Sequence, residues 1–221
     1  MIGDILPEQV AAVEARNDPP FVELFPAERE VIARAVEKRR REFETVRHCA
    51  RVALARLGVP AAPILPGERG APQWPTGIVG SMTHCSGYRA AAVARAEHMI
   101  TVGVDAEPDE PLPDGVLEMV TLPSERGWLA ELSASHPVAR WDRLLFSAKE
   151  SVYKAWFPLA RRWLGFEDAE LTVDPDAGTF TAKLLVPGPV VDGRPVDGFA
   201  GRWLVRDGLI VTAIAVPVDR P

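Results

Sequence analysis

Apolar positions along the chain divide it into a helical segment followed by short strands, and this order occurs twice. In residues 27–57 the apolar side chains recur at three- and four-residue spacing, which predicts a helix with one break. Gly58 and Pro60 end this helix in the usual order, with glycine just past the last turn and proline beyond it. A loop rich in proline and glycine follows. Three short strands are predicted after the loop, at residues 78–83, 89–95 and 99–105.

The second half begins with another helical region, predicted at residues 114–164. Two antiparallel hairpins follow it: one pairs residues 170–173 with 179–185, and the other pairs 201–205 with 209–216 across the turn dipeptide Asp207-Gly208. Helix followed by antiparallel strands, repeated, predicts an α+β fold with two similar halves. We place the halves at residues 1–104 and 105–221.

Composition limits the classes of function. A chain of 221 residues forms one large domain or two small subdomains, and its net charge of -6 does not suit a general nucleic-acid binder. Any anionic ligand must therefore meet a local basic cluster. Two cysteines are too few for a disulfide framework, and no apolar stretch approaches the ~18 residues of a membrane span. With no signal peptide at its start, the chain is expected to be cytoplasmic and to bind neither nucleic acid nor membrane.

The stretch GVDAEP, residues 103–108, ends an apolar strand with two carboxylates, Asp105 and Glu107. Residues i and i+2 of a strand face the same side, roughly 7 Å apart between Cα atoms. Two like charges at that separation repel unless a cation or a proton lies between them. The alternative is a solvated strand end that leads into a proline-rich loop.

The stretch FSAKESVYKAW, residues 146–156, combines apolar positions at helical spacing with two lysines and a glutamate. Ser147 followed by Glu150 fits a capping box, which predicts that the helix begins at Ser147. Glu150 and Lys154 then share one helix face, and Lys149 lies on the first turn. The alternative is a capped amphipathic helix with an ordinary Glu–Lys ion pair.

The stretch GSMTHCSGY, residues 80–88, places His84 at a strand end, near Ser81 and Thr83. Small residues here would let a ligand approach the backbone, although a turn with a hydrogen-bonded histidine gives the same pattern. Neither Ser81 nor Ser86 lies in a G-x-S-x-G nucleophile elbow, which argues against a Ser–His–Asp hydrolase.

Positive charge is concentrated on the first predicted helix, from Lys38 through Arg41 and again at Arg47, Arg51 and Arg56. Such a run is either a solvated face or an anion site, since guanidinium groups suit phosphates. Together with the carboxylates of Asp105, Glu107 and Glu150, these residues point to Mg²⁺-assisted chemistry on a pyrophosphate ligand.

Several spaced motifs resemble those of the surfactin-synthetase-type 4′-phosphopantetheinyl transferases, particularly the actinobacterial branch that includes the mycobacterial enzyme. The matching segments are KRRREFETVRHCARVALARLGVP, GAPQWPTGIVGSMTHCSGYRAA, VGVDAEP, FSAKESVYKAWFPLARRWLGFEDA and GRWLVRDGLIVTAIAV. The sequence departs from the commonest family form at Phe146 and Ser151, where tryptophan and alanine are usual. It also has Pro66 where some relatives carry a basic residue, a loss for which Arg69 would compensate.

The resemblance implies two similar α+β halves with coenzyme A bound between them, in a single working monomer. It implies that 4′-phosphopantetheine passes from coenzyme A to a serine of an apo acyl or peptidyl carrier protein, leaving adenosine 3′,5′-bisphosphate. By this resemblance, Mg²⁺, or Mn²⁺ in its place, is held by Asp105, Glu107 and Glu150. Coenzyme A is held by Arg39, Arg47, Pro66, Gly67, Glu68, Arg69, Ser81, Thr83, His84, Asp105, Glu150 and Lys154.

Catalysis is assigned to three residues of the stretch FSAKESVYKAW, residues 146–156. Glu150 is the expected base for the carrier serine, with a metal-bound water as the alternative. Lys154 would neutralise or protonate the leaving group, and Lys149 would hold a phosphate. Two other functions share the same residues: a Mg²⁺-dependent hydrolase of nucleotides, and a non-catalytic protein that binds coenzyme A or carrier proteins. The hydrolase would use water and no protein partner, and the binding protein would tolerate loss of Glu150.

Overall fold

The computed structural model describes residues 1–219. The α-helices are α1 (Pro26–Ile32), α2 (Glu37–Arg56), α3 (Val116–Val120), α4 (Pro123–Ser135) and α5 (Trp141–Ala160). The strands are β1 (Ala11–Ala15), β2 (Ile78–Cys85), β3 (Tyr88–Arg95), β4 (Met99–Pro108), β5 (Ala169–Asp174), β6 (Thr179–Leu184), β7 (Val190–Val191), β8 (Arg194–Pro195), β9 (Gly198–Arg206) and β10 (Leu209–Pro217). Within residues 1–219, no helix is both long and apolar enough to cross a membrane.

The strands form two main antiparallel sheets, so the α+β prediction is confirmed. The first sheet has the order β1-β3-β2, and the second has the order β4-β10-β9-β6-β5. Both predicted hairpins are present, and Asp207 and Gly208 adopt the positive φ angles, 53° and 72°, that their turn requires. The break in the first helix is also present, between α1 and α2.

Each sheet is covered by one long helix. Helix α2 packs on the first sheet through Ala50, Ala53 and Leu54, because small side chains on its inner face allow close approach to Ala91 and Val93. Helix α5 packs on the second sheet through larger side chains. Among them are Trp141, Leu144, Val152 and Trp156.

The two sheets meet where β2 lies beside β4. Ser81 and Thr83 on β2 use their hydroxyl oxygens to accept hydrogen bonds from the backbone N–H groups of Val104 and Ala106, both at 3.1 Å. Side-chain hydroxyls thus satisfy the β4 edge that β10 leaves open. A third apolar cluster, which includes Ala92 of β3, joins the two sheets behind this junction.

The predicted boundary between residues 104 and 105 falls within a strand. β4 pairs with β10 from Met99 to Pro108 and therefore belongs wholly to the second sheet, so the sheets divide before Met99. The sequence analysis had assigned this strand to the first half because it directly follows two strands of the first sheet. The first sheet takes its third strand, β1, from the N-terminal region instead. Whether the halves fold independently stays a prediction.

The predicted start of the catalytic helix was wrong. Helix α5 begins at Trp141, and Ser147 lies inside it with its hydroxyl directed at Asp105. Apolar side chains continue the helical period upstream of Ser147, and their burial extends the helix past the local capping signal.

Helix α5 lies directly on the backbone of β4 at Gly103. A Cβ atom there would overlap the carbonyl oxygen of Ser151 and lie 2.7 Å from the backbone nitrogen of Ala155. Two residues earlier on β4, Thr101 donates a hydrogen bond of 2.9 Å to the carbonyl of Ala155. This contact sets the distance between the end of β4 and the polar face of α5.

Candidate functional site

A cleft runs between the loop before β2, β2 itself and helix α5. Its larger part, about 740 Å³, is lined by residues 67–74, by β2 and by the second half of α5. A smaller part of about 290 Å³ continues from it towards Asp105 and Glu107. Glu150 and Lys154 line both parts, so the smaller, charged part of the cleft joins the larger part at these two residues.

Asp105 is held by three side chains from two elements, β2 and α5. Its Oδ1 accepts hydrogen bonds from Lys154 Nζ at 2.6 Å and from Thr83 Oγ1 at 3.1 Å, and its Oδ2 accepts one from Ser147 Oγ at 2.8 Å. The carboxylate is almost completely buried. A buried charge needs such partners, so the position of Asp105 is fixed before any ligand binds.

Glu107 follows Asp105 on the same face of β4, as strand alternation predicted. It forms an ion pair of 3.0 Å with Arg143 of α5. Burial, with the negative charge of Asp105 adding to it, raises the pKa of Glu107 to about 7. Asp105 and Glu107 are thus two close carboxylates, and Glu107 has fewer partners for its charge than Asp105 has.

Glu150 is the least compensated of the three carboxylates. In residues 1–219 no hydrogen bond or ion pair reaches its side chain, although it lines both parts of the cleft. Burial raises the pKa of Glu150, and the charge of Asp105 acts in the same direction against the opposing effect of Lys154. Lys154 forms its ion pair with Asp105 instead of with Glu150, the partner that helical spacing had predicted.

The carboxylates suit a hard divalent cation in their chemistry. In the described part of the chain no three acidic, histidine or cysteine side chains are already arranged around a common point as metal ligands. Asp105, Glu107 and Glu150 nevertheless line one cavity, where burial, with the negative charge of Asp105 adding to it, raises the pKa of Glu107 and of Glu150. This donor set fits Mg²⁺, which is usually held by one or two carboxylates together with phosphate oxygens.

A basic corner lies beside the carboxylates. Arg39 Nη1 contacts His84 Nε2 at 2.7 Å, and the Nδ1 atom of His84 lies 3.5 Å from a carboxylate oxygen of Glu42. Because arginine can only donate, Nε2 is the acceptor and the neutral ring carries its proton on Nδ1. Burial lowers the pKa of His84, and the charges of Arg39 and Lys154 lower it further.

Arg47 lies deeper than the sequence analysis expected. It is buried, its Nε donates to the carbonyl of Ile64 at 3.2 Å, and its guanidinium covers the ring of Phe43. Burial lowers its pKa to about 10, and repulsion from Arg39 contributes. Arg47 is not among the residues that line the cleft, but its charge lies close enough to Arg39 to affect the basic corner.

Lys149 is not among the residues that line either part of the cleft, and its predicted role as a phosphate clamp stays a prediction. Its ammonium group is buried in an ion pair of 2.8 Å with Glu125 of α4 and also donates to the carbonyl of Phe166 at 2.8 Å. The next residue along a helix points about 100° away. Lys149 therefore anchors α5 to α4 while Glu150 reaches the cleft.

Ser81 lines the larger part of the cleft and Thr83 the smaller part, and their role at the nucleotide stays a prediction. Both hydroxyls are buried and bound to the backbone of β4, and Thr83 additionally donates to Asp105. Gly67, Glu68 and Arg69 do line the cleft, in a short turn. Pro66 precedes this turn and pairs with Pro72 across its base.

Two family models match the chain. One, the 4′-phosphopantetheinyl transferase N-terminal domain, matches residues 27–94, and the other, the 4′-phosphopantetheinyl transferase superfamily, matches residues 101–189. The chain is similar to the 4′-phosphopantetheinyl transferase Svp of Streptomyces mobaraensis, with 63% identity over 98% of this chain and 89% of the relative. It belongs to the 4′-phosphopantetheinyl transferase superfamily.

Two more relatives are similar over nearly their whole length. The 4′-phosphopantetheinyl transferase PptT of Mycobacterium tuberculosis is 50% identical, over 98% of both chains. The 4′-phosphopantetheinyl transferase Npt of Nocardia iowensis is 54% identical, over 97% of this chain and 99% of the relative. The protein is therefore an enzyme that transfers 4′-phosphopantetheine to carrier proteins.

The transferase has a second, apolar pocket of about 110 Å³ that the sequence analysis missed. Tyr153, Trp163 and Phe166 line it, and Glu150 lies at its border with the cleft. The hydroxyl of Tyr153 is buried without a hydrogen-bond partner in residues 1–219, while Trp163 packs against its ring at 5.0 Å and Arg69 covers Trp163 at 5.4 Å. Tyr153, Trp163 and Phe166 all lie in the segment FSAKESVYKAWFPLARRWLGFEDA, but only the packing of the 161–166 loop brings them together.

Replacing Glu107 with glutamine should stabilise the ligand-free transferase above pH 7. The folded pKa, about 7, lies above the ordinary 4.5, so the stability that protonated Glu107 contributes is lost as pH rises through 7. Glutamine removes this loss and can still accept from Arg143. At pH 8 we expect the free energy of unfolding to rise by roughly 2–3 kcal/mol, with no gain at pH 4.

Urea unfolding at the two pH values measures this difference. Glu110→Gln, at an exposed position nearby, is the matched control and should change neither value. An equal change at both pH values for Glu107→Gln would contradict the raised pKa.

Proposed function

We propose that this transferase, a member of the surfactin-synthetase type, moves 4′-phosphopantetheine from coenzyme A to a serine hydroxyl of acyl and peptidyl carrier proteins. Adenosine 3′,5′-bisphosphate is the second product. The observation that carries the proposal is the meeting of Asp105, Glu107, Glu150 and Lys154 at one end of a nucleotide-sized cleft. The basic corner and the apolar pocket lie on two sides of this meeting point.

A divalent cation, Mg²⁺ or Mn²⁺, would be held by Asp105, Glu107 and Glu150. Once bound there, it would neutralise charge on the pyrophosphate and so favour displacement at phosphorus. The three carboxylates that line one cavity support this assignment, because a cation would relieve the repulsion that the charge of Asp105 adds to the effect of burial on Glu107 and Glu150.

The phosphates of coenzyme A are assigned to the basic corner and to the turn at residues 67–69. Arg39 and His84 would give up their mutual contact and bind the 3′-phosphate instead. The buried positive charge of Arg47, close to Arg39, would add to the attraction for the phosphate. Arg69 lies on the cleft wall in place of a basic residue at position 66. Arginine forks match phosphate oxygens, which makes this side of the cleft suitable for the nucleotide.

The apolar pocket is assigned to the pantetheine arm. The arm is uncharged and extended, and the pocket is lined by aromatic side chains next to Glu150, where the reacting phosphate must lie. The free hydroxyl of Tyr153 offers one hydrogen bond to an amide of the arm. Binding there would direct the reactive phosphorus towards the carboxylates.

Proton transfer is assigned to the polar face of α5. Glu150 would take the proton of the carrier serine, since no side chain of residues 1–219 pairs with it and burial raises its pKa. Lys154 faces the same cavity from one turn away and neutralises or protonates the departing bisphosphate. Asp105 holds Lys154 in place by their 2.6 Å ion pair.

Coenzyme A should bind with uptake of a proton at His84. The neutral ring of the free protein would become cationic beside a phosphate, so affinity should rise as pH falls from 8 to about 6.5. Calorimetry in two buffers of different ionisation enthalpy measures the uptake. His84→Gln should weaken coenzyme A about tenfold and abolish the uptake.

Dephospho-coenzyme A locates this contact. If His84 grips the 3′-phosphate, the dephospho compound should show little proton uptake and little sensitivity to His84→Gln. Equal losses for both ligands would place the contact on the pyrophosphate.

The enzyme is expected to act as a monomer in the cytoplasm, without nucleic acid or membrane. The residues that line both parts of the cleft come from one chain, so specific activity should stay constant on dilution. A fall in specific activity at low concentration would indicate that an oligomer is required.

A nucleotide hydrolase would share most of these residues, and one assay separates the two. The enzyme is incubated with coenzyme A and Mg²⁺, with and without an apo carrier protein, and bisphosphate and carrier mass are followed by mass spectrometry. Transfer predicts bisphosphate only with the carrier, together with the mass gain of one 4′-phosphopantetheine. Bisphosphate without carrier would indicate hydrolysis. A panel of fatty-acid, polyketide and nonribosomal-peptide carriers in the same assay identifies the preferred acceptors.

A further inference from the structure

We propose that three buried hydroxyls, those of Ser151, Thr212 and Ser147, form a hydroxyl chain that positions Asp105 and leaves its Oδ2 atom available to the cation. The inference rests on the proposed function of Asp105 as a cation ligand. It adds Ser147, Thr212 and Ser151 as positioning residues behind that ligand.

The hydroxyl chain lies between α5 and β10. Ser151 Oγ is 2.6 Å from Thr212 Oγ1, Thr212 Oγ1 is 3.1 Å from Ser147 Oγ, and Ser147 Oγ donates to Asp105 Oδ2 at 2.8 Å. All three side chains have no exposed surface. Thr212 is the residue on β10 that pairs directly with Asp105 on β4.

Proton counting fixes the direction of the bond to Asp105. The single proton of Ser147 goes to the carboxylate, the strongest acceptor present, so Ser147 Oγ is left as an acceptor. Thr212 Oγ1 lies 3.1 Å from that acceptor and 3.0 Å from the carbonyl of Ser147, and Ser151 Oγ lies 2.6 Å from Thr212 Oγ1 and 3.2 Å from the carbonyl of Thr212. The hydroxyls of Thr212 and Ser151 thus lie directly behind the group that donates to Asp105, and bonds in such a series polarise one another.

Counting lone pairs identifies the available atom of Asp105. A carboxylate offers about four acceptor positions, two on each oxygen. Lys154 and Thr83 occupy both positions on Oδ1, and Ser147 occupies one on Oδ2. One position on Oδ2 remains, and the bond from Ser147 fixes the carboxylate rotation that presents it.

A buried surface between a helix and a strand is normally filled by apolar side chains, since hydroxyls lose hydration there. Valine at position 212 or alanine at position 147 would pack with nearly the same shape. The hydroxyls bond in series with Asp105 and not only with the nearest backbone carbonyl, which is the arrangement expected of a positioning role.

The test compares Thr212→Val, which keeps the shape and removes the hydroxyl, with Thr212→Ser, which keeps the hydroxyl. Each variant is measured for the Mg²⁺ concentration that gives half-maximal rate, for the KM of coenzyme A, and for the rise in Tm that Mg²⁺ causes in the coenzyme A complex. We expect Thr212→Val to raise the half-saturating Mg²⁺ about threefold to tenfold and to reduce the Tm rise, with the KM of coenzyme A changed less than twofold. Thr212→Ser should restore the Mg²⁺ response.

Ser147→Ala removes the direct bond to Asp105 and should raise the half-saturating Mg²⁺ by about tenfold or more, the loss expected for a hydrogen bond to a charged group. It also serves as the second test should Thr212→Val fail to fold. An unchanged Mg²⁺ response in folded Thr212→Val or Ser147→Ala, or equal responses of the valine and serine variants, would overturn the inference.

Asp105→Asn separates this outcome from failure of the proposed function. If it keeps the normal Mg²⁺-induced rise in Tm, Asp105 is not a cation ligand and the proposed function is wrong at that point. If it loses the rise while the hydroxyl variants keep it, only the hydroxyl chain is disproved.

Discussion

Turnover of the Lys154→Met variant should fall by roughly 10²–10⁴, the usual range for loss of a general acid or base. The ammonium group lines the cavity with Glu150 and is the cation there that faces the departing phosphate in our assignment. Binding of coenzyme A should weaken far less than turnover, because the basic corner and the 67–69 turn remain. Single-turnover transfer to an apo carrier and calorimetry with coenzyme A measure the two effects.

The structure adds a control for this variant. Because Lys154 also holds Asp105, part of its effect is positioning, and Lys154→Arg separates the contributions. Arginine keeps the charge beside Asp105 but cannot give up a proton in proteins. A rate restored by arginine would assign Lys154 to charge neutralisation alone, whereas a rate as low as that of Lys154→Met would support proton donation. Lys154→Met within about threefold of normal turnover would remove Lys154 from the catalytic step.

Glu150→Gln should lower turnover by a similar factor of roughly 10²–10⁴ without lowering stability. Glutamine has nearly the same shape but neither charge nor basicity. Burial raises the pKa of Glu150, so the folded state loses stability as pH rises through that pKa, and removing the charge should raise the Tm at neutral pH. Transfer assays and thermal unfolding at pH 7.5 test both effects together.

Glu131→Gln, on the exposed surface of α4, is the matched control and should leave rate and Tm unchanged. A Glu150→Gln enzyme with normal turnover would rule out Glu150 as the base. A variant that loses both turnover and Tm would instead indicate that Glu150 has a structural partner.

Local patterns predicted the features that depend on neighbours in the chain. Alternation in β4 placed Asp105 and Glu107 on one face, and the Asp207-Gly208 dipeptide predicted its hairpin. These succeeded because strand geometry and turn conformation depend on a few consecutive residues.

Features that depend on distant partners were not predicted. Lys149 and Lys154 look alike in the sequence, but Glu125 of α4 takes the first and Asp105 the second. Arg143 gave no signal as the partner of Glu107, since they lie 36 residues apart. The capping signal at Ser147 was misleading for the same reason: its hydroxyl partner is Asp105, on a strand 42 residues earlier.

The backbone contact at Gly103 makes catalytic geometry and core integrity a single property of the molecule. At Gly103, helix α5 rests on the backbone of β4 with no side chain between them, so at this point no flexible side chain can absorb a partial displacement. The spacing of Asp105, Glu150 and Lys154 therefore cannot drift gradually under heat or mutation. We expect activity to be lost in one step when helix α5 separates from β4. The residues of the cleft walls are not bound by this contact and can change with the carrier proteins that the enzyme modifies.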